Sequence, residues 1–124
     1  MNKDLCRKVG ETSQDNLFAG LFPRALTTGV KIASSEGKLP RGTILTTEDG
    51  SEYKALTTET KDKANCILAD DVDATEAEAV AVAYTSGNFN IHAVAGKPEG
   101  EVEIDNAVRD ALRHYNIILT DMQE

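Results

Sequence analysis

At 124 residues the chain fits one domain, and its net charge of −8 with a pI near 4.7 sets it against phosphate backbones and anionic membrane surfaces. No apolar run approaches the roughly 18 residues of a membrane span. With 40% hydrophobic residues, 5% aromatics and no Trp, the core must come from Ile, Val, Leu and Ala. Each such side chain contributes only about 1.5–3 kcal/mol when buried, so association that buries more apolar surface is expected.

Residues Met1–Asn16 are polar, mixed in charge and without helical or strand period, the pattern of a flexible N-terminal arm. They lack the apolar h-region of a secretory signal. The division expected is an arm over 1–16 and one folded domain over 17–124. At the junction, Leu17-Phe18-Ala19-Gly20-Leu21-Phe22-Pro23 places two of the three Phe within five residues. Such a cluster needs burial, on the chain's own core or on a partner.

Beyond the junction the signals are short and strand-like. Val30-Lys31-Ile32 alternates, Lys38–Gly42 has turn chemistry, and Thr43–Thr47 is β-prone. Asp49-Gly50 predicts a type I′ hairpin leading to Glu52–Leu56. Thr57–Asp62 reads as polar loop, Asn65–Ala69 as a buried strand, and Asp70–Thr75 as an acidic turn. Glu78–Thr85 alternates β-branched residues with Ala. Ser86-Gly87-Asn88 breaks that run and Phe89-Asn90-Ile91 restarts it, which predicts a second hairpin. Gly96–Gly100, with Pro98, is a loop.

The period then changes. Ile104, Val108, Ala111, Leu112 and Tyr115 form one helical stripe. Glu103 and Asp105 lie near its start and Arg113 and His114 near its end, matching the helix dipole. Asn116 suits an αL C-cap, and Ile117–Thr120 closes the chain as a strand. The fold class is therefore α+β: a small β-rich domain of short mixed strands and hairpins, with one C-terminal helix and a flexible N-terminal arm.

Reactive chemistry is sparse. Cys6 and Cys66 lack CxxC spacing and read as free thiols, Cys66 within an apolar strand. His92 and His114 stand in no metal-ligand spacing. The cluster Asp70-Asp71-Val72-Asp73 fails the calcium-loop pattern, which counted from Asp70 requires Gly and Glu where Thr75 and Ala81 stand. Neither GxxxxGK[ST], GxGxxG nor GxSxG occurs. No catalytic set, metal site or cofactor is expected, and the chain reads as a binder of another protein's surface.

Two stretches carry a family resemblance, Ile67-Leu68-Ala69-Asp70-Asp71-Val72-Asp73 and Ala83-Tyr84-Thr85-Ser86-Gly87-Asn88-Phe89. With them go the junction Leu17–Pro23 and the ending Arg109–Leu119. Together they resemble the lambda-type head decoration (cement) proteins of tailed bacteriophages, over roughly Leu17 to Asp121. The arm departs from the lambda member in being charged rather than Thr/Pro/Ala-rich. The resemblance implies a homotrimer at three-fold positions on the outside of the expanded capsid, clamping the major capsid protein against the pressure of packaged DNA. Production in the host cytoplasm and ordering of the arm on the capsid follow from it. Candidate capsid-binding residues are Leu5, Val9, Thr12, Leu17, Phe18 and Phe22, the arm adding a strand to an exposed sheet edge.

Two other classes remain open on the residues alone. One is a carbohydrate- or host-binding module displayed on a virion, poorly supported by an inventory without Trp. The other is a small hydrolase or metal enzyme using His92, His114 and the Asp70–Asp73 cluster.

Overall fold

The computed structural model describes residues 17–20, 23–98 and 102–121. The expected arm, with Leu5, Val9 and Thr12, lies outside the described residues, as do Cys6 and Phe22. In chain order the elements are β1 (Phe18–Gly20), β2 (Leu26–Ile32), β3 (Gly37–Leu39), β4 (Ile44–Thr47), β5 (Tyr53–Ala55), β6 (Ala64–Leu68), β7 (Val72–Ala74), β8 (Ala79–Asn90), α1 (Asn106–Arg113) and β9 (Ile117–Thr120). Short 3-10 segments cover Thr58–Lys63 and Ile91–Ala93.

Five of the strands pair in a closed circuit. β8 runs antiparallel to β2, β2 meets β5 in parallel at Ile32 and Tyr53, β5 pairs with β4, β4 with β6, and β6 returns to β8. The registers Ala83↔Leu68, Leu45↔Cys66, Leu45↔Ala55 and Val30↔Ala81 put these residues on one face, which alternation makes the barrel interior. All of them are buried. The interior is narrow, and the Ala residues at every second position of β8 suit it. That alternation is what the sequence displayed at 79–83.

The expected second hairpin is absent, because β8 is one continuous strand of 12 residues. Gly87 has φ +147°, and a Cβ there would stand 2.8 Å from the Phe89 ring. The glycine bends no chain back; it makes room for the ring of Phe89, two residues further along the same strand. Two residues earlier, the register against β2 shifts between Thr27↔Tyr84 and Leu26↔Ser86, a bulge that leaves one β8 residue extra. Beyond the bulge, β8 leaves the barrel and pairs in parallel with β9 and antiparallel with β1.

Other expectations change in detail. The Asp49-Gly50 hairpin forms, but its strands are joined through residues 48–52 rather than by a two-residue type I′ turn. Gly50 has φ +86°, while Asp49 instead accepts from the Ser51 N–H and hydroxyl. That contact holds the Asp49 carboxyl below its usual range. The acidic stretch 70–75 contains strand β7, which pairs with β3 across Gly37↔Ala74, Lys38↔Asp73 and Leu39↔Val72. The expected Lys38–Gly42 turn accordingly shrinks to Pro40–Gly42, since Lys38 and Leu39 belong to β3. Thr57–Asp62 is not open loop: Thr57 and Thr60 form a capping box on the first 3-10 segment.

The helix is shorter than its apolar stripe implied. Asp105 caps it by accepting from the N–H groups of Ala107 and Val108, so Ile104 lies before it and Tyr115 after it, half exposed. Val108, Ala111 and Leu112 are its buried face, packed on β6 and β9. Asn116 adopts the expected αL conformation, φ +67°, but the C-cap is His114, so Asn116 stands two residues beyond it.

Candidate functional site

The folded domain meets the preceding segment at Leu17 and β1, where several short contacts converge. The Leu17 side chain is 2% exposed, and its C=O accepts from the Asn90 N–H at 2.8 Å. Phe18 pairs with Phe89 and Gly20 with Asn88. The Phe18 ring stacks on Phe89 at 5.2 Å and meets the edge of Tyr84 at 5.1 Å. Each such aromatic pair adds about 0.5–1.5 kcal/mol beyond area burial. Phe18 nevertheless remains 38% exposed, so one side of it faces outward.

Arg41 closes the cluster from the other side. Its guanidinium lies 5.9 Å from the Phe18 ring centre and 5.6 Å from that of Tyr84. Nη1 donates to the Ala69 C=O at 2.7 Å and to the Tyr84 hydroxyl at 3.0 Å. The Arg41 N–H donates to Asp71 Oδ1 at 2.8 Å. One side chain thus links the turn before β4, the end of β6, the middle of β8 and, through its π contact, β1. Asp71, which sequence places in a solvated acidic turn, has this definite structural task.

Further bonds fasten the neighbouring chain. The Ser86 hydroxyl donates to the Arg24 C=O at 2.6 Å, and Thr120 donates to Asn88 Oδ1 at 2.6 Å. On the same end His92 Nε2 lies 2.6 Å from Asp121 Oδ1. His114 is the exposed C-cap of α1 and stands apart from His92 on a different element. Cys66 is a buried free thiol on β6, and burial pushes its pKa up to about 12.

Of the candidate capsid-binding residues, Leu17 and Phe18 thus come together at the entry strand, Leu17 turned into the core and Phe18 at the surface. Sequence reasoning missed Arg41. Its signal, an Arg in a Pro-Arg-Gly turn, is too common to mark a π contact with rings 23 and 43 positions away.

Elsewhere, a cleft of about 370 Å³ opens beside the β4–β5 hairpin. Its most buried carboxylate, Glu36, accepts from the Ala55 N–H and faces Lys97 at 4.0 Å, which makes it a tie between loops. Among the described residues no group of three or more His, Cys, Asp or Glu is placed to hold a metal ion, and no helix is long and apolar enough to cross a membrane. The arrangement holds an entry strand in place and presents a surface.

No curated protein matches the chain. The family model described as bacteriophage lambda head decoration protein D matches residues 10–114, from before the entry strand to the end of the helix. The chain therefore belongs to the lambda head decoration protein D family, whose members are structural proteins of the phage head.

Proposed function

We propose that this chain binds as a homotrimer at three-fold sites on the outer surface of the expanded head, after synthesis in the host cytoplasm. There it clamps neighbouring major capsid protein subunits and stabilises the shell against the pressure of packaged DNA. Capsid decoration follows from the family, and the match over residues 10–114 is the observation that carries the proposal. Neither nucleic acid nor membrane is a direct partner on this proposal, in keeping with the charge of −8.

The entry strand supports a division of labour. β1 is fastened by Phe89, Tyr84 and Arg41, so whatever precedes Leu17 leaves the domain from a defined point. Leu5, Val9 and Thr12 then supply side chains to a strand added at a capsid sheet edge, with main-chain hydrogen bonds giving most of the affinity. Phe18 and Phe22 extend the contact at the exit. Three linked arms bind far more tightly than one, which offsets the ordering cost of each.

Deleting Met1–Asn16 should leave the trimer intact and abolish co-sedimentation with expanded capsids. Undiminished binding by the truncated protein would contradict the assignment to the arm. Binding should also require the expanded lattice, and equal occupancy on unexpanded proheads would count against the proposal.

A further inference from the structure

We infer that the open edge of β2, with the outward residues of β8 beside it, is the surface through which copies of this chain associate. The inference rests on the homotrimer proposed above and names its contact face. The backbone geometry comes first. The Val82 C=O accepts from the Ala69 N–H on the β6 side, so Val82 turns its backbone polar groups away from β2. Its register partner Gly29 must then turn its own N–H and C=O away from β8. By alternation Thr27 and Lys31 do the same. On that side β2 meets β5 only around Ile32, where the residues flanking it bond to Tyr53, so among the described residues the backbone from Thr27 to Val30 has no strand beside it.

The edges at β9 and at the β3–β7 pair are guarded. Arg109 Nη2 donates to the Leu119 C=O at 2.9 Å, occupying an acceptor on the edge of β9. β3 and β7 are three residues each and carry Lys38 and Asp73. Leu26–Val30 has neither charge nor proline, the devices by which sheet edges are normally kept apart.

Gly29 supplies an independent sign. A Cβ placed there would meet nothing within 4 Å, and its φ is not among the positive ones. Nothing in the subunit calls for glycine, which weakens a strand interior. A glycine on an open edge leaves room for another backbone to approach closely. Beside it, Val82 is 39% and Val80 81% exposed, while Leu26 at the end of the same strand is 52% exposed.

A second copy is the occupant these features favour. A bare apolar edge is an aggregation hazard from synthesis onward, and the partner always present with a newly made chain is another copy. Copies carrying −8 each repel one another, so they must meet on an uncharged face, and Leu26–Val30 is one. At its end Lys31 and Glu78, 3.6 Å apart, offer one charge of each sign.

Sedimentation equilibrium of the full chain tests this with two variants. Gly29→Val adds side-chain bulk into space empty in the subunit, so its thermal midpoint should not fall. Its self-association should weaken by about 100-fold or more, the scale of losing a buried contact at an interface centre. The double variant Val80→Lys/Val82→Lys, altered at exposed positions only, should show the same loss and decides the matter if Gly29→Val folds poorly. Wild-type association by a folded variant set would overturn the assigned face while leaving self-association standing. A wild-type chain monomeric at all concentrations would overturn the homotrimer proposal and this inference together. If that monomer also bound capsids, and Gly29→Val bound them less, the face would belong to the capsid partner instead.

Discussion

The two halves of β8 do different work on one continuous strand. From Ala79 to Tyr84 it is a stave of a closed barrel, with small residues inward and valines outward. From Ser86 to Asn90 it is a mount to which the entry strand β1 and the closing strand β9 are tied. The first half is specified by alternation alone. The second depends on single residues with special tasks: Gly87 yields space to Phe89, Asn88 accepts from Thr120, and Ser86 donates to the Arg24 carbonyl. Stability and presentation thus fall on different parts of one strand, and the part nearest the N-terminal segment is tied by contacts of single residues.

Gly87→Val should have the largest effect, and it falls on the second half of β8. It forces a β-branched residue into φ +147° and drives its Cβ within 2.8 Å of the fully buried Phe89 ring. The expected loss is about 3 kcal/mol or more, from backbone strain and overpacking together. Denaturant unfolding measures it, and a near-neutral result would mean that the mount does not need the glycine.

Arg41→Ala should separate the halves rather than collapse both. It removes two hydrogen bonds from a partly buried guanidinium and its contact with two rings, about 1–3 kcal/mol in all. Hydrogen exchange should accelerate at β1 amides while barrel amides such as those of Ala83 and Cys66 keep most of their protection. Uniform acceleration would show that the clasp and the barrel form one cooperative unit.

Cys66 reports the barrel half by itself. Its thiol pKa is raised to about 12 by burial, against an ordinary value near 8.5. The stability from keeping it neutral is complete below about pH 8.5 and is lost as pH rises towards the folded-state value. Alkaline destabilisation should therefore be shallower in Cys66→Ala, although that variant starts lower because of its cavity. An unchanged alkaline slope would remove Cys66 as its cause.

The smallest effect is expected at Asp105, away from both halves. Its hydrogen bond from Lys61 at 2.9 Å, and then its helix-cap bonds, hold its carboxyl below the usual range. The resulting stability is present above the ordinary carboxylate pKa and fades as pH falls through the lowered one. Asp105→Asn should therefore slightly flatten the acid limb of a stability curve, and an identical limb would contradict that role.

What could be read in the sequence divides along the same line. The barrel stave, the buried strand around Cys66, the β4–β5 hairpin and the buried face of the helix follow from local patterns of apolar spacing and turn residues. The mount does not. Ser86-Gly87-Asn88 has the composition of a turn, and only the position of the Phe89 ring shows why it stays extended. β1 is three residues long and owes its existence to partners some 70 positions away, so no local period announces it. Val72–Ala74 lay hidden in an acidic run because its partner β3 lies some 35 positions away. Arg41 joined the site only through the fold. Family resemblance supplied the function, which no side-chain chemistry of a binding surface spells out.

Decoration of the capsid is tested by cryo-electron microscopy of expanded capsids of the cognate phage, lacking their own decoration protein and mixed with the full chain. Trimeric density is expected on the outer surface at three-fold positions, with the segment before Leu17 traced along a capsid sheet edge. Capsids that stay bare at saturating protein, or density at other lattice positions, would contradict it.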